Sequence, residues 1–147
     1  MVDKSATAKW NGNLTEGSGT FSVDSGVISA SPVSWAARTN EAKGQTSPEE
    51  LIAAAHASCY AMAFSNYLAT NHSAPESLEV TSSVGFGPNP DGGMKATHSK
   101  LTVKGSVPGM DESTFKDAAT KAEAQCPVSN ALRGNIDITV DASLTQG

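Results

Sequence analysis

Two cysteines, Cys59 and Cys126, are the chain's only thiols, and their surroundings suit chemistry as well as packing. Cys59 stands in PEELIAAAHASCYAMAF, residues 48–64, a run built mostly of alanine and headed by the acids Glu49 and Glu50. A thiol becomes a nucleophile by losing its proton, and a neighbouring positive charge favours that loss. Guanidinium groups are scarce, because Arg38 and Arg133 are the only arginines. Arg38 precedes the alanine-rich run, where its long side chain could bridge a carboxylate and a thiolate. Cys126 directly precedes Pro127, at the expected N-cap of a short helix, where backbone N–H groups favour a developing thiolate. A thiol placed there suits a resolving role, condensing with a sulfenic acid on another cysteine. Spacing does not say whether Cys126 meets Cys59. Both cysteines would serve equally as small buried hydrophobes, Arg38 as a solvated loop residue, and Glu49 as a first-turn acid facing the helix dipole. Residue types alone leave these readings open.

The elements that must position these groups are partly legible. Ser47 is a good N-cap, Pro48 fits the first helical position, and Glu50 completes a capping box, so a helix is expected over about 48–71. On a wheel of about 100° per residue, Glu49 falls roughly 80° from the direction of Cys59, and Glu50 lies opposite. An axial separation of about 15 Å leaves Glu49 to act on Cys59 only through an intermediary with reach. His56 lies one turn before Cys59 on a similar face, so a Cys–His pair for acyl transfer is conceivable, although nothing supplies an orienter for the imidazole. A packed mid-helix histidine is the plainer reading.

Upstream, residues 5–35 alternate and read as a β-meander. Asn11-Gly12 suggests a two-residue hairpin turn, Gly17-Ser18-Gly19 a further break, and Phe21, Val23, Val27 and Ile28 short strands around Asp24-Ser25-Gly26. Residues 36–47 are polar and irregular and are expected to form a connecting loop. Downstream, Leu78–Phe86 and Met94–Val107 read as strands joined by GPNPDGG. Asp111 can cap a helix over 112–125 whose apolar positions are Phe115, Ala118, Ala119 and Ala122. A short helix from Pro127 to Arg133 closes at Gly134, and Ile136–Leu144 is a last strand. The fold class is therefore α+β.

With 147 residues the chain suits one domain spanning 1–147. Aromatics are only 5%, so the core is thinly supplied with large side chains, and a dimer with a shared core is expected. Ten basic residues against fifteen acidic ones give a net charge of −5 without a basic cluster, which disfavours nucleic acid and anionic membranes as partners. The N-terminal MVDKSATAKW lacks an apolar leader core, and no apolar run approaches the roughly 20 residues that span a bilayer, so a cytoplasmic setting is expected. There a cysteine pair suits redox chemistry or burial better than a permanent staple. The three histidines show no metal-ligand spacing.

SPEELIAAAHASCYAMAF, the preceding ARTNE, and QCPVSNALRGNIDITV near the end resemble the OsmC/Ohr family of osmotically inducible and organic hydroperoxide resistance proteins. The resemblance covers nearly the whole chain. It implies an OsmC-like α+β fold, an intertwined homodimer with sheets packed around a central long helix from each subunit, and a cofactor-free thiol peroxidase acting in oxidative or osmotic stress. It assigns Cys59 as the peroxidatic cysteine, Cys126 as the resolving cysteine that closes a disulfide with it, Glu49 as the glutamate of the PE motif, and Arg38 as the arginine paired with that glutamate. In the Ohr branch the key arginine lies nearer the N-terminus, where this chain has only Lys4 and Lys9, so the resemblance is to the OsmC branch. Departures are mild: Ser47 stands where asparagine often precedes the proline, and Ser58-Cys59-Tyr60 replaces Ala-Cys-Phe. The implied substrates are organic hydroperoxides ahead of hydrogen peroxide. The implied reductant is an external dithiol, for which a lipoylated protein, a thioredoxin-type protein and a small thiol all qualify. The alternative is a family-fold protein that binds small molecules or thiols without efficient turnover.

Overall fold

The computed structural model describes residues 1–40 and 44–145, as two compact units divided after Leu51. The first unit carries an antiparallel meander, β1 (Ala6–Asn11), β2 (Ser18–Val23) and β3 (Ser31–Val33), in that spatial order. Asn11 pairs with Ser18, so the connection is a six-residue loop, 12–17, rather than the two-residue turn suggested by Asn11-Gly12. Gly12 still takes the left-handed backbone the turn needs, with φ +90°. Gly17-Ser18-Gly19 does not break the chain but leads into β2. A Cβ on Gly19 would come within 2.7 Å of the Trp10 ring and 2.4 Å of the Lys9 carbonyl, so the glycine admits that indole across the pair. Val27 and Ile28 lie outside any strand, and the third strand comes later, with Pro32 on the edge where its missing N–H costs no ladder bond.

The segment expected as loop contains a helix, α1 (Trp35–Thr39). Ser34 caps it: its hydroxyl accepts from the Ala37 N–H at 3.1 Å. The remainder of that expected loop includes Glu41, Ala42 and Lys43, which lie outside the described residues. The long helix α2 (Pro48–Asn71) has the expected bounds, and the Ser47 hydroxyl accepts from the Glu50 N–H at 3.1 Å.

The second unit holds a sheet ordered β4 (Ser77–Pro88), β5 (Met94–Ser106), β6 (Asp137–Leu144). β4 and β5 form an antiparallel hairpin with a bulge between Val84 and Phe86. A Cβ on the intervening Gly85 would press within 2.2 Å of the His98 ring, so glycine permits the irregularity. β6 runs parallel to β5, which requires a crossover; α3 (Glu112–Glu123) and α4 (Pro127–Leu132) provide it. Asp111 caps α3 by accepting from the Thr114 N–H at 2.7 Å, a bond that lowers the carboxyl's pKa.

The core of this unit follows a stripe on α2 at helical spacing: His56, Tyr60, Phe64 and Leu68, all fully buried. Phe115 of α3 packs on Phe64 with ring centroids 5.1 Å apart, above Leu101 and Val103 of β5. Ala118, Ala119 and Ala122 let α3 approach closely, and the buried Tyr60 hydroxyl donates to the Ala119 carbonyl at 2.6 Å. Other faces of α2 stay open: Ala54, Ala55, Ser58 and Met62 are exposed, Met62 at 69%. Among the described residues, no helix is long and apolar enough to cross a membrane.

Candidate active site

Arg38 and Glu49 meet within the first unit. Arg38 comes from the last turn of the Ser34-capped helix α1, and Glu49 from the first turn of α2. The guanidinium Nε lies 3.1 Å from each carboxylate oxygen, and Nη2 lies 2.8 Å from Oε1. A rigid fork on a carboxylate fixes direction as well as charge. Glu49 is buried to 7% exposure, while the Arg38 side chain keeps 35% of its surface in solvent. The guanidinium is thus fixed in direction by Glu49 while the side chain stays partly in contact with solvent. Beside it lies a cleft of about 290 Å³ lined by Trp10, Leu14, Val33, Trp35 and Pro48. Its apolar walls come from tryptophans and aliphatic residues, not from the alanines of α2.

Cys59 and Cys126 meet within the second unit, and both are free thiols. Cys59 is partly exposed on α2, and Cys126 is buried at the head of α4. Cys126 does serve as the N-cap: its Sγ accepts from the Ser129 N–H at 3.4 Å. The first turn of α4 addresses both sulfurs, since the Val128 N–H acts on Cys59 as a donor. Burial pushes the Cys59 thiol above its ordinary pKa; the Val128 N–H opposes that shift, and the neighbouring Cys126 side chain adds to it. Within its own unit, Cys59 therefore lies beside Cys126 in surroundings that disfavour the thiolate.

His56 is fully buried, the packed position that is the plainer reading of a mid-helix histidine. Its Nδ1 lies 2.6 Å from Ser99 Oγ and its Nε2 lies 2.7 Å from Ser129 Oγ. With both ring nitrogens engaged by serines, the imidazole is not a base for Cys59, and the acyl-transfer reading fails. Burial lowers its pKa, against an opposing pull from Glu123. Ser99, Ser129 and Ser82 (2.9 Å from Ser99) are the residues sequence reasoning missed. The stripe from His56 to Leu68 signals a buried imidazole, which must find partners. Nothing local in the sequence says that β5 and α4 provide them.

The family model described as OsmC-like protein matches residues 40–141. The chain belongs to the OsmC family. Peroxiredoxin OsmC of Escherichia coli is 40% identical over 143 residues, which is 97% of each chain. An organic hydroperoxide resistance protein of Xanthomonas axonopodis pv. citri is 38% identical over 96 residues, 65% of each. Among solved structures, an organic hydroperoxide resistance protein from Elizabethkingia anophelis superposes with a TM-score of 0.80 at 27% identity, covering 99% of this chain and 98% of its own. OsmC and Ohr relatives thus share both the sequence and the α+β fold described above.

Proposed function

We propose that this OsmC-family chain is a cysteine-based peroxidase that reduces organic hydroperoxides to alcohols, and hydrogen peroxide more slowly, in the oxidative or osmotic stress response. The observation that carries the reading is the pairing of two free cysteines at the first turn of α4 in a chain 40% identical to a peroxiredoxin. In the proposed cycle, Arg38 held by Glu49 stabilises the Cys59 thiolate and orients the peroxide. The thiolate attacks the terminal oxygen, the O–O bond breaks, and the departing alkoxide takes up a proton as alcohol. Cys59 is left as a sulfenic acid. The Cys126 sulfur attacks the Cys59 sulfur, forming the S–S bond and releasing water. Exchange with an external dithiol restores both thiols.

The site residues are divided between the two units, Arg38 and Glu49 in one and the cysteines in the other, so the reading treats residues 1–147 as one functional domain in a homodimer. Arg38 then serves Cys59 of its own subunit or of the partner subunit. The open α2 face bearing Ala54, Ala55 and Met62 suits a second copy, because small side chains allow close helix approach. A cytoplasmic setting fits a cycle that needs reduced thiols. The apolar cleft beside Arg38 favours alkyl or aryl substituents over bare hydrogen peroxide. Steady-state rates with cumene hydroperoxide, tert-butyl hydroperoxide and hydrogen peroxide, each with a lipoyl, a thioredoxin-type and a small-thiol reductant, test this. The organic peroxides are expected to react faster; a clear hydrogen peroxide preference would count against the assigned substrate class.

A further inference from the structure

His56 is a fully buried titratable group that the proposed cycle does not use, yet it joins the two helices that carry the two thiols. It stands on α2 one turn before Cys59, and its Nε2 lies 2.7 Å from the hydroxyl of Ser129 on α4. Ser129 is the residue whose own N–H donates to Cys126 Sγ. On its other side the ring is held by Ser99 of β5 at 2.6 Å, and Ser99 by Ser82 of β4 at 2.9 Å. A neutral imidazole has one N–H and one lone pair, so one serine must accept from the ring while the other donates to it. The two serines satisfy the two ring nitrogens, and the Ser129 contact is the one that ties the ring to α4. The opposite end of α4 is tied differently: Arg133 Nη2 reaches the Glu123 carboxylate at 2.6 Å on a half-exposed surface. The end carrying the thiol is tied by the buried serine–imidazole contact and by the Cys126 N–H, which donates to the Glu123 carbonyl at 3.2 Å.

We infer that His56 is a positioning residue for disulfide closure: through Ser129 it holds the first turn of α4 so that Cys126 lies against Cys59. This rests on the peroxidase reading for its biological role, but the geometry is testable without peroxide. The closure step is Cys59–SOH plus Cys126–SH giving the disulfide and water. With diamide as oxidant, the two thiols lose two electrons and two protons to the diazene, giving the same disulfide and a hydrazine. A thiol displaced by about 1 Å loses roughly 10- to 100-fold in rate.

Closure is measured by quenched alkylation and peptide mass mapping in the wild type, Ser129→Ala and Ser99→Ala, with cumene hydroperoxide and separately with diamide. Each variant removes one hydroxyl from the same ring, but only Ser129→Ala releases α4. The expected result is closure slowed about 10- to 100-fold in Ser129→Ala with both oxidants and near-wild-type closure in Ser99→Ala, with first-turnover peroxide consumption unchanged in Ser99→Ala and slowed far less than closure in Ser129→Ala, where the Val128 N–H beside Cys59 moves with the same turn. Stalled Cys59 in Ser129→Ala is then carried on to sulfinic acid by excess hydroperoxide. His56→Asn, checked for folding by circular dichroism, serves as the second variant and slows closure likewise. Unchanged closure in Ser129→Ala, or equal losses in both serine variants that follow their melting temperatures, would overturn the inference. Failure of wild-type Cys59 to react with hydroperoxide while diamide still closes the pair would strike the peroxidase reading and leave the positioning role standing or falling on the diamide rates.

Discussion

Replacing Glu49 by glutamine separates the geometry of the Arg38 pair from its charge. The carboxylate accepts at 3.1, 3.1 and 2.8 Å from two guanidinium nitrogens. The amide keeps one acceptor oxygen and sets an NH2 against the guanidinium donors. Breaking a fully buried pair costs about 3–5 kcal/mol, and an exposed one less than about 1 kcal/mol. With side-chain exposures of 35% for Arg38 and 9% for Glu49, the solvent-discounted cost is about 1–2 kcal/mol. If that cost falls on the orientation of Arg38, kcat/KM for cumene hydroperoxide drops roughly 5- to 30-fold, at about 1.4 kcal/mol per decade. Arg38→Met removes the cation itself, and its loss is larger, about 100-fold. The pH profile carries the sharper sign. In the proposed cycle Arg38 stabilises the Cys59 thiolate, whose pKa burial already raises, so removing the cation should move thiolate formation to still higher pH. The ultraviolet thiolate signal and kcat/KM should shift together toward alkaline pH in Arg38→Met, with part of the lost rate recovered there. If both variants kept wild-type rates and pH profile and lost only stability, the pair would be structural and this reasoning would fail.

Two further outcomes follow from the packing. Phe115→Ala empties a fully buried position against Phe64 and should destabilise the protein by about 3–5 kcal/mol in urea unfolding; a loss below about 1 kcal/mol would mean that the core collapses around the gap. His56 has a folded pKa below its ordinary 6.5, so the unfolded chain binds the extra proton first as pH falls. Its contribution is fully present above about 6.5 and declines as pH falls below that value toward the folded pKa. The urea midpoint should therefore fall on mild acidification in the wild type, with a shallower slope in His56→Asn, and equal slopes would show that the imidazole is not buried neutral.

Where local rules act alone, the sequence is readable. Ser47, Pro48 and Glu50 set the start of α2 to the residue, Asp111 starts α3, and Cys126-Pro127 starts α4, because capping is decided by a few adjacent side chains. The same rule was available at Ser34, but polar neighbours hid the five-residue α1 that delivers Arg38. The connection after Asn11 is longer than Asn11-Gly12 suggests, because Asn11 pairs with Ser18 and Trp10 with Gly19, cross-strand pairings invisible to turn composition. The parallel pairing of β5 with β6 has no local signature at all. Of the four candidate site residues, the resemblance to the OsmC/Ohr family supplied the pairing of roles; residue types alone left each divided between packing and chemistry. The structure brings Arg38 to Glu49 and Cys59 to Cys126. The serine contacts of His56 depend on tertiary neighbours from β5 and α4 and could not be read in advance.

The assignment of Cys59 as the attacking thiol and Cys126 as its resolving partner is decided by mapping both cysteines after a single equivalent of cumene hydroperoxide. Non-reducing peptide mass analysis of the wild type should show the Cys59–Cys126 disulfide with both free thiols lost together. In Cys126→Ser, Cys59 should instead be trapped as a sulfenic acid by dimedone. In Cys59→Ser, Cys126 should stay reduced and peroxide should persist. Peroxide consumed while both thiols remain free, or Cys126 oxidised in the absence of Cys59, would contradict the account.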